Sequence, residues 1–246
     1  MKINSAFQQR GIFASDWSQD IIKNEPMLFN CDRESAIELG GPITKDFMEN
    51  LPSDWKNCDI VVDSRVHMLM KGWFPCIPGH HHDDVPRSGK NGQPNYENPE
   101  YRSLHLMGLV NGDVCPTQFA VGEIELEVPD GIIYKQWHKD VIAAVDAGKM
   151  EHVSAPSGVY VQFDDRSFHQ GTTAVSGGWR WFIRESSHEG RMLHLLHRED
   201  GPAIMGPRGC RSWYLDNELL NFDEWKKGVR KYYETEEDYL LMLLKL

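Results

Sequence analysis

Residues 80–84 read His80-His81-His82-Asp83-Asp84, three imidazoles followed at once by two carboxylates. In an extended segment side chains alternate between faces, so a His-x-Asp pair presents an imidazole and a carboxylate on one side. A third imidazole from a remote strand completes two histidines and one carboxylate, a donor set that holds Fe(II) and leaves positions open for other ligands. Two registers satisfy the pattern, His81 with Asp83 or His82 with Asp84, and a slip of one residue exchanges them. The bend expected at Pro78-Gly79 favours His81 with Asp83. His169 is the preferred third ligand, because it follows a strand-like run at 159–163 and turn residues at 164–166. His81, Asp83 and His169 are therefore expected to form the metal site and catalytic centre.

Beyond His169 lies an aromatic and basic run, Trp179-Arg180-Trp181-Phe182-Ile183-Arg184. On a strand, Arg180, Phe182 and Arg184 share one face. Two guanidiniums buried beside a metal are costly without anions. A dicarboxylate cosubstrate answers this, with one end on the metal and the other in a bidentate guanidinium fork. The arginines could instead pair with Asp164, Asp165 or the run Glu123, Glu125, Glu127. A rival metal reading takes His80-x-His82 with His169 as an all-histidine, cupin-like site. Zinc hydrolysis is less favoured, since no His-Glu-x-x-His or paired cysteines occur, and no Gly-x-Ser-x-Gly elbow is present. His105 could reach the site; His67 and His138 are expected in the core or at its rim, and Trp73, Trp179, Trp181 and Phe168 in packing.

The elements that must position these residues are mostly strands. Extended segments are expected at 58–70, 104–110, 118–128, 158–163 and 179–184, with a hairpin turn at Asn111-Gly112-Asp113. Short helices are expected at 45–51, behind Thr44, and at 138–147. Residues 86–101 lack apolar periodicity and read as a long polar loop; Arg87, Lys90 and Tyr96 on it, with His105, are the candidate substrate contacts. Many strands and few long helices favour a sandwich or barrel. Past 190 the character changes to a hairpin-like segment and two capped helices at 222–233 and 236–246, the last strongly apolar. The expected division is 1–190 for the main domain and 191–246 for an appendage, which could pair copies of the chain.

The 246 residues can bury a sizeable core, and a formal charge of -11 argues against broad contact with a phosphate backbone. Five cysteines without a close pair suit a reducing compartment. No run is long and apolar enough for a bilayer, so a cytoplasmic protein without membrane partners is expected.

His81-x-Asp83, distal His169 and the following arginines together resemble the Fe(II)- and 2-oxoglutarate-dependent dioxygenases, over about residues 65–186. That resemblance implies a mainly β double-stranded β-helix, or jelly roll, with Fe(II) and 2-oxoglutarate as cofactors and hydroxylation of a substrate C–H bond. It implies that Arg184 or Arg180 holds the far carboxylate of 2-oxoglutarate, with Thr117 or Gln118 as a polar contact. The substrate would be a small molecule or nucleotide, with a protein side chain as a further class. A non-catalytic β-sandwich that mediates assembly is the opposing reading. The segment 197–204 with Trp213-Tyr214 is similar to a short repeat of bacteriophage and viral proteins, present in one copy.

Overall fold

The computed structural model describes residues 1–56, 58, 60–76, 78–85, 93–96 and 103–187, and the backbone of three short strands between 204 and 220. The chain divides into two compact units, Met1–Arg191 and Met192–Leu246.

The first unit is a jelly-roll-type sandwich of two antiparallel sheets. One sheet runs in the order β2 (Gln8–Ile12), β7 (Val159–Asp164), β4 (Leu104–Val110), β9 (Gly178–Ser187), β3 (Ile60–Leu69). The other runs β1 (Lys2–Ser5), β5 (Thr117–Glu125), β6 (Met150–Ser154), with β8 (His169–Gly171) also paired to β5. Period-two alternation gives each sheet two distinct faces. Met107, Leu109, Phe119, Val161 and Phe163 fill the space between the sheets. Val62, Leu106, Tyr160, Trp181 and Ile183 point the other way, under α1 (Gln19–Asn24), α2 (Arg33–Leu39) and α3 (Pro42–Glu49). On the opposite side α4 (Ile133–Asp146) buries Ile133, Trp137 and Val141 against Ile3, Ala120 and Phe168. Gly108 lets β4 pass under the helical layer, since a Cβ there would meet the Phe47 ring at 2.5 Å.

Several local expectations are corrected. Helix α3 begins at Pro42, three residues ahead of the expected 45–51. Thr44 does not cap it; the buried Glu25 carboxylate accepts from the amides of Ile43 (3.2 Å) and Thr44 (2.8 Å) and from the Thr44 hydroxyl. Helix α4 starts at Ile133 instead of 138, without a side-chain cap to announce it. Asn111-Gly112-Asp113 is no hairpin: β4 and β5 lie in different sheets, and a single 3-10 turn, Gly112–Val114, carries the chain between them. Trp73, expected in the packing, is half exposed. Helices α1 and α2 and strands β1 and β2 fall in a stretch that reads only as mixed.

In the second unit β10 (Ile204–Met205), β11 (Arg211–Leu215) and β12 (Glu218–Leu220) form an antiparallel meander. The expected helices at 222–233 and 236–246, and most of the repeat-like segment, lie outside the described residues. No helix among the described residues is long and apolar enough to cross a membrane.

Glu185, opposite Val62 and Leu106 in the register, is fully buried, and neither carboxylate oxygen has a hydrogen-bond partner among the described residues. Burial pushes its pKa up from 4.5 to about 8, against a smaller pull from Arg33. The folded state thus keeps a proton that the unfolded chain releases, so stability falls as pH rises between those two values. Glu185→Gln is expected to flatten that decline and to be more stable at pH 7 by about 2 to 3 kcal/mol. Urea unfolding of both proteins between pH 5 and 8 checks this; parallel pH slopes would refute it.

Candidate metal centre

His81 and Asp83 do not sit on a regular strand, contrary to expectation. Gly79 at φ 111° and Asp84 at φ 50° interrupt the chain on either side. What remains extended is a single bridge to β8, in which His81 N donates to His169 O (3.0 Å) and His169 N donates to His81 O (3.2 Å). That bridge brings the two rings to 4.5 Å between centroids. His81 Nδ1–H donates to Gly79 O and His169 Nδ1–H to Ser167 O, each at 3.0 Å. Each imidazole is thereby held in the tautomer whose Nε2 carries the lone pair. Both Nε2 atoms face Asp83, at 3.3 Å from His169 and 3.9 Å from His81. One donor atom from each of the three residues lies within 4.8 Å of the others.

The electrostatics prepare these groups as ligands. Burial alone would raise the Asp83 carboxyl, but Arg184 and then His169 hold it well below the usual carboxylate range. Burial, and then His169, lowers His81. An anionic carboxylate and a neutral imidazole are the forms a metal requires.

Arg184 reaches Asp83 Oδ2 at 2.5 Å through Nη1, with Nη2 at 3.4 Å from Asp63 and 3.9 Å from Asp84. Three formal carboxylates against this one guanidinium leave an excess of two negative charges, which a divalent cation would balance. Arg184 is therefore already engaged, and by acids other than Asp164, Asp165 or the Glu123 to Glu127 run. Arg180, on the same face of β9, is 2 % exposed and has no carboxylate partner among the described residues. Its Nη2 donates to Thr117 Oγ1 across the sandwich at 2.6 Å, and its Nε has no partner. Burial lowers its pKa to about 10, which leaves it cationic at neutral pH.

The remaining candidates separate. His82 turns away from the centre and is buried, its ring 3.9 Å from Phe168 and its Nδ1 2.8 Å from Tyr96 Oη. His80 lies against His138 and His152. The all-histidine arrangement of His80, His82 and His169 is thus not formed. Tyr96, expected at the substrate, packs on Trp137 with its hydroxyl bonded to those of Tyr134 and the His82 ring, and burial raises its pKa. His105 is wholly buried beside Asp84, with both ring nitrogens taken, by Ser103 (2.9 Å) and Ser186 (3.0 Å). Arg87 and Lys90 lie outside the described residues. Asp63 was missed; the alternation that places Asp63, Arg65 and His67 on one face of β3 was the available signal.

No family model matches the chain, and no curated protein does. Among solved structures it is similar to iron-bound HygX from Streptomyces hygroscopicus, at 10% identity and TM-score 0.39 over 88% of this chain and 94% of HygX. It is also similar to AviO1 from Streptomyces viridochromogenes Tue57, at 11% identity and TM-score 0.39 over 75% of this chain and 90% of that one. For the apo form of ThoJ, a non-heme monooxygenase, the values are 9% and 0.41 over 98% and 95%. Likeness this loose assigns no role to any residue.

Asp83→Asn is expected to weaken Co(II) or Fe(II) binding by more than about 100-fold, exceeding the 10- to 100-fold typical of groups behind a ligand. Asp84→Asn should stay within about tenfold of wild type. Anaerobic equilibrium dialysis distinguishes the two; loss confined to Asp84→Asn would move the register by one residue.

Proposed function

We propose that the chain is an Fe(II)- and 2-oxoglutarate-dependent dioxygenase that hydroxylates a C–H bond of a small molecule or nucleotide. Two histidines and a carboxylate with open positions suit non-haem Fe(II) oxygen chemistry. A hydrolytic zinc site can share those donors. Arg180 supports the first reading. A lone guanidinium buried in the sandwich interior costs several kcal/mol unless an anion joins it, and hydrolysis supplies no reason to keep one there. A diacid that reaches the metal with one end and Arg180 with the other does.

In this reading His81 Nε2, His169 Nε2 and Asp83 hold the ion, and Arg184 keeps Asp83 ionised and oriented. Arg180, steadied by Thr117, receives the far carboxylate of 2-oxoglutarate. Of the two arginines expected for that role Arg180 is the better seat, because Arg184 is committed to Asp63, Asp83 and Asp84. A ferrous ion with 2-oxoglutarate as its reductant supplies the activation of dioxygen. Phe119 and Phe163 stand against the His169 ring, at 5.5 and 5.0 Å between centroids, and keep that side of the centre dry. The acidity of the chain favours a small substrate over duplex nucleic acid.

Arg180→Met is expected to weaken 2-oxoglutarate binding by about 10- to 100-fold, the scale of a lost charge-assisted hydrogen bond, while Fe(II) affinity persists. Thr117→Val should act in the same direction with about a fivefold effect. Calorimetric titration of the cosubstrate, alongside succinate release with a substrate panel, provides the check. A wild-type protein that binds metal but not 2-oxoglutarate would end this reading, and one that binds neither would favour the non-catalytic sandwich.

A further inference from the structure

Three histidines outside the ligand set form a chain of their own. His80 is buried, and His138 on α4 and His152 on β6 are half-buried. His80 Nδ1 lies 2.9 Å from His138 Nδ1, and His80 Nε2 lies 3.1 Å from His152 Nε2. The His80 backbone amide also points at His138 Nδ1, at 3.2 Å.

Donor and acceptor accounting fixes the roles. A backbone N–H can only donate, so His138 Nδ1 is bare and accepts. The His80 Nδ1 contact to the same atom therefore carries its proton on His80. His138 thus accepts twice from one residue, once from its backbone and once from its ring. On the far side of that ring one proton joins His80 Nε2 to His152 Nε2, with the rings stacked at 20°.

This geometry is not a second cation site. His80 meets its two partners through opposite ring nitrogens, so the donor atoms converge on no common point. Among the described residues only His81, Asp83 and His169 bring three donors within 4.8 Å. Resting on the metal reading given above, we propose that His138 and His152 are positioning residues, which through His80 anchor the turn that carries His81 and Asp83. The turn needs such an anchor because, among the described residues, it has one bridge to β8 and no ladder. The backbone at Gly79 runs against the His138 ring, where an added Cβ would lie 3.6 Å from His138 Cγ, so α4 fixes the start of the turn as well as its first histidine.

Asparagine can place its Oδ1 where the histidine Nδ1 stood; leucine cannot accept at all. His138→Leu is expected to weaken Co(II) affinity by about 10- to 100-fold, and to shift the Co(II) ligand-field absorption, because the ligands are no longer held in one geometry. His138→Asn should remain within about threefold of wild type with the native spectrum. Affinity is read by competition with a chromophoric chelator, on proteins whose fold is checked by circular dichroism. Should His138→Leu fail to fold, His138→Asn against His138→Gln makes the same comparison, since glutamine carries its polar atoms out to the Nε2 position. Equal affinities and identical spectra in all variants would overturn the positioning role while leaving the metal site standing. A wild type that binds no Co(II) would overturn the metal reading itself.

Discussion

The bridge between His81 and His169 is the junction on which the site depends. It is only two backbone hydrogen bonds, yet it joins residues far apart in the chain and sets two imidazoles side by side. Its rigidity is borrowed. Strand β8 pairs with β5, where Phe119 lies opposite His169, and β5 is held in turn by β1 and β6. The carbonyls of Gly79 and Ser167 then turn both imidazoles so that their Nε2 atoms meet Asp83. Backbone pairing thus sets where the ligands stand, and local carbonyls set which nitrogen they offer.

Strand β9 supplies the charge that makes this junction useful. It runs between β3 and β4 in the five-stranded sheet, and alternation sorts its residues strictly. Trp181, Ile183 and Glu185 go under the helices; Arg180, Phe182 and Arg184 go between the sheets. The two arginines share a face but have opposite surroundings. Arg184 meets three carboxylates, and its charge is spent holding one of them in place. Arg180 meets the Thr117 hydroxyl, lies opposite His67 of β3, and has Phe182 beside it, with the ring centroid 5.8 Å from its guanidinium carbon. Buried charge without a counter-charge is unfavourable for the folded chain alone. In the proposed function, the far carboxylate of 2-oxoglutarate would offset that cost.

Much of this was legible before the structure, for a physical reason. Strands β3, β4, β7 and β9 alternate or run apolar because they are central or half-buried, and that pattern survives any tertiary detail. His169 and the arginine face follow from the same period. The elements that were not legible are those fixed by distant partners. Helix α3 takes its cap from Glu25, far upstream, instead of Thr44. The Asn111-Gly112-Asp113 turn has hairpin chemistry but carries the chain between sheets, a matter of topology that local residues do not encode. Asp83 could be preferred to Asp84 only by the bend at Gly79, whereas the deciding fact is which histidine neighbours β8. Tyr96 and His105 were read as substrate contacts because polarity near a site suggests contact with ligand, whereas their polar atoms are engaged in internal hydrogen bonds.

The histidine triplet shows why such a motif is hard to resolve from composition. Residues 80, 81 and 82 have the same side chain and three different surroundings: a polar chain toward α4 and β6, the metal centre, and an aromatic core beneath Phe168. An imidazole suits each, since it can donate at one nitrogen, accept or ligate at the other, and still pack as a flat ring. Ligands on a turn lack the ladder that would hold them on a strand, so the flanking side chains must do that holding. His80 is held by His138 and His152, and His82 by Tyr96 and the aromatic residues around it, one on each side of His81 in the sequence. The repeat is then a ligand between two anchors, and its middle member is the one the bridge to His169 selects.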